Sequence, residues 1–392
     1  MADYAKVNNV AAADIAKVNN VAKAAIANMH GITTPSSGAT LWTLASENGG
    51  IGTAAAADLN AWTCYESADM GTANYTTVAY GKDGAGDPVW VAVNENGNRE
   101  IRYSSDPTAG VDAWTDSTDP GYHMNGVAWG DDVWVTVGDS GRMYRSTDGG
   151  GKDANGDPAT WTEVDLSGLS GKNSTKIDEI ITDGDGNWMF GQDTRVYYST
   201  NGGAAWSLAI DLNASGPQID SGFNLHTLTY TGGKWIVYLR KSGYSRVFHA
   251  TDPTGTWTGA TVGGVAQDDA ALGDNDALIF HTARRMAAGD GTVIIVAGPH
   301  FSRSTNSGVD WTQTASGLPH GDARDIATDG QGNWVVVHDD GRVSVSTDNG
   351  ANFAEQTGVQ DGGSNTRMRF PTGSGGNLRD LESVAANVLL PV

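Results

Sequence analysis

A short turn motif, Ser-x-Asp/Asn-x-Gly-x-x-Trp, recurs along this chain and constrains its fold more than any other feature. Clear copies span Ser199–Trp206, Ser304–Trp311 and Ser346–Phe353. Looser copies, some with insertions before the tryptophan, begin at Ser46, Ser104, Ser146 and Ala250. In each copy we expect the Asp or Asn side chain to accept hydrogen bonds from backbone N–H groups of its own turn. We therefore predict structural roles for the third residues of the motif, Asn48, Asp106, Asp148, Asn201, Asp252, Asn306 and Asp348.

Short apolar strands precede these turns. The runs W-V-A-V from Trp90 and W-V-V-V from Trp334 are nearly continuous in apolar residues, which is typical of strands covered on both faces by neighbouring sheets. A further short strand and a Gly/Asp hairpin turn come before most of them. Each unit thus predicts four strands, A to D, with the turn motif between C and D. The approximate units are 75–118, 122–165, 176–211, 223–261, 276–315 and 321–358.

The two ends of the repeat region complete one more unit. Leu378–Ser383 and Asn387–Val392 match the A and B strands of the preceding unit, while Leu41–Leu44 and Ala61–Cys64 match C and D strands. Repeated four-stranded units at this spacing are typical of a β-propeller. We therefore predict an all-β, seven-bladed β-propeller over residues 41–392, whose last blade takes two strands from each end and so leaves no open sheet edge.

The turn motifs resemble those of the Asp-box (BNR, sialidase-like) β-propeller superfamily, and the resemblance covers nearly the whole chain. That superfamily includes sialidases, sortilin-type receptors, photosystem assembly factors and phage structural proteins. The resemblance implies the propeller fold and leaves the function open, because one fold hosts many functions.

The first 32 residues follow a different pattern, an 11-residue repeat containing A-K-V-N-N-V-A twice. On a helix this repeat places Val7, Val10 and Ile15 on one apolar stripe. The paired asparagines weaken a helix, so one helix and several short helices broken at Asn9 and Asn20 both remain open. We predict a short helical anchoring segment over residues 1–32 and a linker over residues 33–40.

An apolar stripe of this kind is usually buried against another surface, so we interpret the segment as a docking or oligomerisation element. Its K-V-N-x-V repeats resemble N-terminal segments of virion-associated proteins in marine and cyanobacterial phages. That resemblance implies other virion proteins as partners of residues 1–32. The alternative is a loosely ordered tail.

The chain is strongly acidic, with 46 Asp and Glu residues, 24 Lys and Arg residues and a net charge of −22. Such a charge repels phosphate backbones and anionic membranes, so we expect no nucleic-acid partner and no membrane insertion. No apolar run reaches the length of a membrane span, and polar residues interrupt any signal-peptide core. We expect the protein to be made in the host cytoplasm without a signal peptide and to be located on the virion.

Aligning the A strands produces one polar column at the axial mouth of the predicted propeller. Its members are the candidate ligand-binding residues Thr76, Asn125, Asp178, His226, Arg284, Arg324 and Arg379. Three arginines that converge there would suit a carboxylate or sulfate. The alternative is a polar, water-filled channel whose arginines pair with acids such as Asp178, Asp325 and Asp380.

Sialidases also hold a carboxylate with three arginines, but this sequence departs from their pattern. It has no Arg-Ile-Pro segment, and no motif locates a Tyr–Glu nucleophile pair or an acid/base Asp. We therefore predict no catalytic residue and expect that the protein is not an enzyme.

A second cationic column lies at the start of the C strands and consists of Arg142, Arg195, Arg246, Arg342 and His300. An acidic glycan could bind to this column. The alternative is that its members pair with nearby loop acids such as Asp139, Asp193 and Asp340. The near-copy insertions 82–88 and 152–158 are rich in Asp and Gly, and simple turns are favoured there over calcium sites because the ligand spacing is incomplete. We predict no metal and no cofactor.

The sequence thus favours a virion structural, decoration or tail-associated protein with an exposed propeller that could bind host-surface glycans. The alternatives are a sialidase-type glycoside hydrolase and a protein-binding propeller scaffold.

Overall fold

A computed structural model shows two compact units, Met1–Ala39 and Thr40–Val392. The structure describes short paired strands within the first unit and most of the second. The described residues are 6–7, 10–11, 17–18, 21–22, 40–59, 61–66, 74–95, 101–109, 113–117, 120–213, 222–241, 244–262, 265–266, 285–313, 317–319, 321–356, 369–370, 377–378 and 380–387.

The described part of the first unit is extended, which corrects the helical prediction there. Strands β1 (Lys6–Val7) and β2 (Val10–Ala11) pair antiparallel, and β3 (Lys17–Val18) and β4 (Val21–Ala22) repeat the pairing 11 residues later. Two asparagines separate the strands in each pair. A two-residue connection favours a hairpin, and Asn tolerates the positive φ of such turns. The rest of the predicted helical segment lies outside the described residues.

Blades 1 to 6 each contain four consecutive antiparallel strands. Blade 1 contains β8–β11 (Tyr75–Lys82, Pro88–Asn94, Ile101–Ser104, Thr115–Asp116) and blade 2 contains β12–β15 (Met124–Gly130, Val133–Gly138, Met143–Ser146, Thr162–Glu163). Blade 3 contains β16–β19 (Ile180–Thr182, Trp188–Gln192, Arg195–Ser199, Ser207–Asp211) and blade 4 contains β20–β23 (Asn224–Thr231, Lys234–Lys241, Tyr244–Ala250, Thr258–Gly259). Blade 5 contains β26–β29 (Arg285–Gly289, Thr292–Ala297, His300–Ser304, Asp310–Gln313) and blade 6 contains β30–β33 (Ala323–Thr328, Trp334–His338, Val343–Ser346, Ala354–Glu355).

Blade 7 joins the two ends of the repeat region and confirms the predicted seven-bladed propeller. Its strands are, in sheet order, β36 (Leu381–Ala386), β5 (Leu41–Ser46), β6 (Gly50–Ala55) and β7 (Thr63–Glu66). The backbone N–H of Asn387 donates to the carbonyl of Leu41 at 2.8 Å, which continues the pairing of β36 and β5. The end strands therefore close the ring.

The division of strands in blade 7 corrects the sequence prediction. One strand comes from the C-terminal end and three from the N-terminal end, so Leu41–Leu44 belongs to the B strand rather than the C strand. The missed strand, β6, has the sequence G-I-G-T-A-A, whose Gly and Ala residues have low β-propensity. A Cβ atom at Gly52 would lie 3.0 Å from Leu44, so a small residue fits this buried position. The predicted strand at 388–392 lies outside the described residues.

This shift also relocates the seventh turn motif. Asn48 lies in the 3-10 turn Glu47–Gly49, between the B and C strands, whereas the other six motifs follow C strands. The C–D connection of blade 7 contains a 3-10 turn at Ala56–Asp58 and ends at Trp62, whose Nε1 donates to the Leu59 carbonyl at 2.8 Å. Trp206 makes the same contact with the Gly203 carbonyl at 2.9 Å. Blade 7 therefore keeps the tryptophan contact at a turn without the motif's Asp or Asn.

Several short strands and 3-10 turns lie outside the four main strands of the blades. Strand β24 (Thr261–Val262) pairs parallel with β29 and antiparallel with β25 (Val265–Ala266), which extends blade 5 to six strands. Strands β34 (Arg369–Phe370) and β35 (Asn377–Leu378) form a separate pair. Further 3-10 turns lie at Pro107–Ala109 and Asp139–Gly141. No helix among the described residues is long and apolar enough to cross a membrane.

The core consists of layers between adjacent blades. Trp42 and Leu44 of blade 7 pack with Val335 and Val337 of blade 6, and all four are fully buried. Each B strand is covered on both faces in this way, which explains the nearly continuous apolar runs in the sequence.

The turn motif of blade 6 shows how its polar residues stabilise the C–D connection. Asp348 Oδ1 accepts hydrogen bonds from Ser346 Oγ at 2.7 Å and from the backbone N–H of Asn352 at 2.9 Å. Ser346 Oγ accepts the N–H of Gly350 at 2.9 Å. Gly350 has a φ of 74°, and a Cβ atom there would collide with Ile294 of blade 5. The turn is therefore bonded internally and packed on the preceding blade.

We expect Asp348→Ala to lower the free energy of unfolding by about 1–2 kcal/mol, because several backbone and side-chain donors lose their acceptor. Burial opposes the charge of Asp348, but its hydrogen bonds outweigh burial and hold its pKa at about 2. The stabilisation is therefore present above pH 3.8 and is lost as the pH falls through 2. Urea unfolding at pH 7 measures the loss. Asn352→Ala, which removes one side-chain donor to Asp348, is the control and should cost less; equal costs would contradict the assigned role.

Candidate functional site at the axial mouth

The A strands share an irregularity that defines the axial column. In five of them the pairing with the B strand shifts at one residue, which is left without a Cα partner. The unpaired residues are Thr76, Asn125, His226, Arg324 and Glu382. Asp178 holds the equivalent place two residues before β16 begins. The structure thus places five of the seven predicted residues in one column.

The column differs from the prediction in blade 7. Glu382 occupies the place that the sequence alignment assigned to Arg379, because β36 begins at Leu381, three residues later than predicted. Arg379 and Arg284 both lie outside the described residues. The predicted equivalence of Arg379 with Arg324 is therefore wrong, and an acid stands in its place.

Two acids, Asp339 and Glu382, lie near Arg324. Its Nη2 lies 3.8 Å from Asp339 Oδ2. Burial raises the pKa of Glu382 to about 7, and Arg324 opposes that rise while Glu47, Glu95 and Asp380 add to it. Burial and the nearby Asp322 also raise the pKa of Asp339. Among the described residues, the mouth over blades 6 and 7 therefore has more acidic side chains than Arg324 alone can balance.

Thr76 and Asn125 connect neighbouring blades. Thr76 Oγ1 donates to the Met124 carbonyl of blade 2 at 3.1 Å, and Asn125 Nδ2 donates to the Ile177 carbonyl, just before blade 3, at 3.3 Å. These two members of the column therefore stabilise the contacts between blades.

His226 is held in one tautomer. Arg240 Nε donates to His226 Nε2 at 2.6 Å, and because the guanidinium is always a donor, Nε2 must carry the lone pair. The hydrogen of the neutral ring then lies on Nδ1. Burial, followed by the charge of Arg240, lowers the pKa of His226 to about 4, so the ring is neutral at physiological pH.

A charged cluster, of which only Asp325 was singled out from the sequence, lies one residue further along the A strands. Arg285 Nη1 lies 3.7 Å from Glu179 Oε1, and the charges of Glu179 and Asp325 hold the pKa of Arg285 above its usual value despite burial. The three residues line an axial cavity of about 160 Å³. Their signal in the sequence was a charged residue directly after the first column in blades 3, 5 and 6.

The two acids of this cluster also bond the neighbouring blades. Glu179 Oε2 accepts the backbone N–H of Leu228 in blade 4 at 2.9 Å. Asp325 Oδ2 accepts the N–H of Val384 and the hydroxyl of Ser383 in blade 7, both at 3.0 Å. Ser383 Oγ in turn accepts the N–H of Val78 in blade 1 at 3.2 Å. The cluster therefore contributes to closing the ring.

The cluster contains two carboxylates and one guanidinium, so one carboxylate lacks a full counter-charge. Burial raises the pKa of Glu179 to about 7, against the opposing effect of Arg285. Burial also raises the pKa of Asp325, again opposed by Arg285. The folded protein thus binds a proton at Glu179 more tightly than the unfolded chain does.

This arrangement predicts a pH-dependent effect of Glu179→Gln. The pKa of Glu179 is about 7 in the folded protein and 4.5 in the unfolded chain. The stabilisation that protonation of Glu179 contributes is therefore complete below pH 4.5 and is lost as the pH rises through 7. Glutamine keeps an oxygen for the Leu228 amide and removes the charge. We expect the stability of the variant relative to the wild type to rise by on the order of 2 kcal/mol between pH 5 and pH 8. Thermal unfolding at both pH values measures this, and a constant difference would contradict it.

The second cationic column pairs mostly within blades. Three of its arginines contact an acid on the adjacent D strand: Arg142 with Glu163, Arg195 with Asp211 at 3.2 Å, and Arg342 with Glu355 at 3.9 Å. Arg195 and Arg342 also contact the loop acids Asp193 and Asp340, at 3.7 and 3.4 Å. Arg246 lies 5.7 Å from the centre of the Phe223 ring, and His300 begins β28. The Arg142–Glu163 pair is the most exposed of the three, and exposed pairs contribute little to stability.

The two Asp-rich insertions form turns that pack on each other. Asp83 Oδ1 accepts the N–H groups of Ala85 and Asp87, both at 2.9 Å, and Asp153 makes the equivalent bonds in the second insertion. Lys152 Nζ lies 3.3 Å from Asp83 Oδ2, whose side chain is fully buried. Across the residues that the structure describes, no group of three or more His, Cys, Asp or Glu residues is arranged to hold a metal ion.

Several solved structures are similar to this chain. YCF48 bound to D1 peptide superposes with a TM-score of 0.51 at 16% identity, over 80% of this chain and 92% of that chain. YCF48 from Cyanidioschyzon merolae gives 0.48 at 13% identity, over 72% and 85%, and the nidogen/laminin complex gives 0.46 at 10%, over 79% and 98%. No protein-family profile and no curated protein sequence matches the chain. At these identities the likeness shows the fold, a seven-bladed β-propeller, alone.

Proposed function

We propose that the propeller is a non-catalytic module that binds a protein partner through its axial mouth. The observation that carries this proposal is the charge of the mouth. Arg324 lies beside Asp339, and Glu382 stands where a third arginine was predicted. An acidic mouth repels the carboxylate that a sialidase or an acidic-glycan receptor would bind, and it attracts cationic groups of a protein.

The propeller solved with the D1 peptide supports this class of function by analogy only. We further propose that the N-terminal unit attaches the propeller to a virus particle. The support is the resemblance of its K-V-N-x-V repeat to virion-associated proteins, together with the paired strands that both copies of the repeat form. Such a protein would be located on the virion, with the mouth available to a further partner.

Three parallel assays on the purified full chain separate the candidate functions. We expect binding on a peptide array, no hits on a glycan array and no hydrolysis of a fluorogenic sialoside. Asp380→Lys at the mouth should abolish the peptide signals, whereas Asp185→Lys, on an exposed A–B turn at the other end of the propeller, should retain them. Glycan hits without peptide signals would favour the glycan-binding alternative. Hydrolysis that Arg324→Ala abolishes would establish the hydrolase.

The attachment is tested separately. Removing residues 1–34 should leave a propeller with an unchanged melting temperature that no longer co-sediments with particles. Retained co-sedimentation would refute the anchoring role.

A further inference from the structure

A second pocket opens at the mouth between blades 3 and 4, beside the axial cluster. It has a volume of about 200 Å³ and combines polar and apolar side chains. Its lining includes Lys176, Asp178, Glu179, Gln192, His226 and the apolar Leu225 and Leu228. The volume corresponds to about seven water molecules, which suits one long side chain rather than a drug-sized ligand.

Its wall is held in place by hydrogen bonds. Gln192 accepts the N–H of Asn173 at 3.0 Å and donates to the Thr175 carbonyl at 2.9 Å. His226 is fixed by Arg240, which leaves its Nδ1–H as a donor. The pocket is therefore pre-organised, which reduces the ordering cost of binding.

Three carboxylates (Asp178, Glu179 and Asp193) and one ammonium group (Lys176) line the pocket, so its charges favour a cation. Asp178 Oδ1 lies 2.7 Å from Lys176 Nζ, so the pocket rim already places an ammonium group beside this carboxylate. Both side chains are about half exposed, at 47% and 59%, and such pairs are easily exchanged. Deeper in the pocket, Glu179 shares Arg285 with Asp325 and so lacks a full counter-charge.

We propose that this pocket receives one lysine or arginine side chain of a peptide from the protein partner, with its cationic group at Asp178 and Glu179. This inference rests on the proposed protein-binding function. The incoming cation displaces Lys176 into solvent, Leu225 and Leu228 contact its aliphatic stem, and His226 Nδ1–H donates to a peptide carbonyl.

The test uses dye-labelled, N-acetylated Gly-Lys-Gly, Gly-Arg-Gly and Gly-Gln-Gly amides with the full chain, followed by fluorescence anisotropy. We expect the lysine or arginine peptide to bind at least about tenfold more tightly than the glutamine peptide. Asp178→Asn should remove that preference. Asp139→Asn, which removes the same charge on the same face outside the pocket, is the matched control and should retain it. Thermal unfolding of both variants verifies that they fold.

The pH dependence supplies an independent readout. A bound cation favours the Glu179 carboxylate, so affinity should increase from pH 6 to pH 8, and Glu179→Gln should abolish the increase. The proposal would be overturned if the glutamine peptide bound as tightly as the lysine and arginine peptides. It would also be overturned if Asp178→Asn and Asp139→Asn lost the same affinity, because that result would indicate only attraction to the net charge of −22. Array signals that survive Asp178→Asn would reject the pocket and retain the protein-binding function. An array without any signal would reject that function itself.

Discussion

Arg285→Met should destabilise the propeller by about 3–5 kcal/mol at pH 8, because it leaves two carboxylates in the axial cavity without their cation. Glu179 and Asp325 would both lose the charge that opposes the effect of burial on their pKa. Protonation relieves this cost, so the loss should shrink as the pH falls to 5. Urea unfolding at pH 8 and pH 5 measures both effects.

A double variant tests whether the loss comes from the cluster. Adding Glu179→Gln to Arg285→Met should recover part of the stability at pH 8, because the remaining Asp325 still accepts bonds from Ser383, Val384 and Ile326. Arg303→Met is the matched control, since it removes an arginine whose Nε donates to the Asn349 carbonyl. It should cost about 1 kcal/mol. Purely additive effects of Arg285→Met and Glu179→Gln would show that the two residues are not coupled.

The sequence predicts the repeated architecture well because the turn motif depends on contacts between residues that are close together in the chain. The contacts of Asp348 with Ser346 and Asn352 are made within seven residues. The continuous apolar runs of the B strands likewise predict that these strands are buried on both faces. Blade 7 was harder to predict because β6 is rich in Gly and Ala, residues that signal no strand. Gly52 is paired with Leu44 of β5 and lies close against its side chain, a contact that local propensity does not encode.

The site was predicted less well because its register depends on strand pairing. A shift of three residues in β36 replaces Arg379 with Glu382 in the column, and this reverses the charge expected at that point of the mouth. The axial cluster of Glu179, Arg285 and Asp325 joins residues from three blades. Its acids bond to backbone groups far away in sequence, which a pattern in a single repeat cannot show.

Deleting residues 380–392 should abolish the cooperative unfolding transition, because the ring then loses the A strand of blade 7. Leu381 and Val384 are buried, and β36 pairs with β5 from Leu381↔Ser46 to Ala386↔Trp42. The deletion would expose Trp42 and Leu44 and remove the bonds to Asp325 and Val78. Domain stabilities are only about 5–15 kcal/mol, so the loss of a whole inner strand should exceed what the fold can tolerate. Near-ultraviolet circular dichroism during a thermal scan measures the outcome.

A synthetic peptide of residues 380–392, added to the truncated chain, should restore the transition in a concentration-dependent way, because it replaces the missing strand. The matched control is the same peptide with Leu381→Asp and Val384→Asp, which would place two charges in the layers between blades and should not restore it. A truncated chain that melts at the temperature of the full chain would show that β36 does not close the ring. Restoration by the control peptide would show that backbone pairing with β5 is sufficient and that the buried side chains of β36 contribute little.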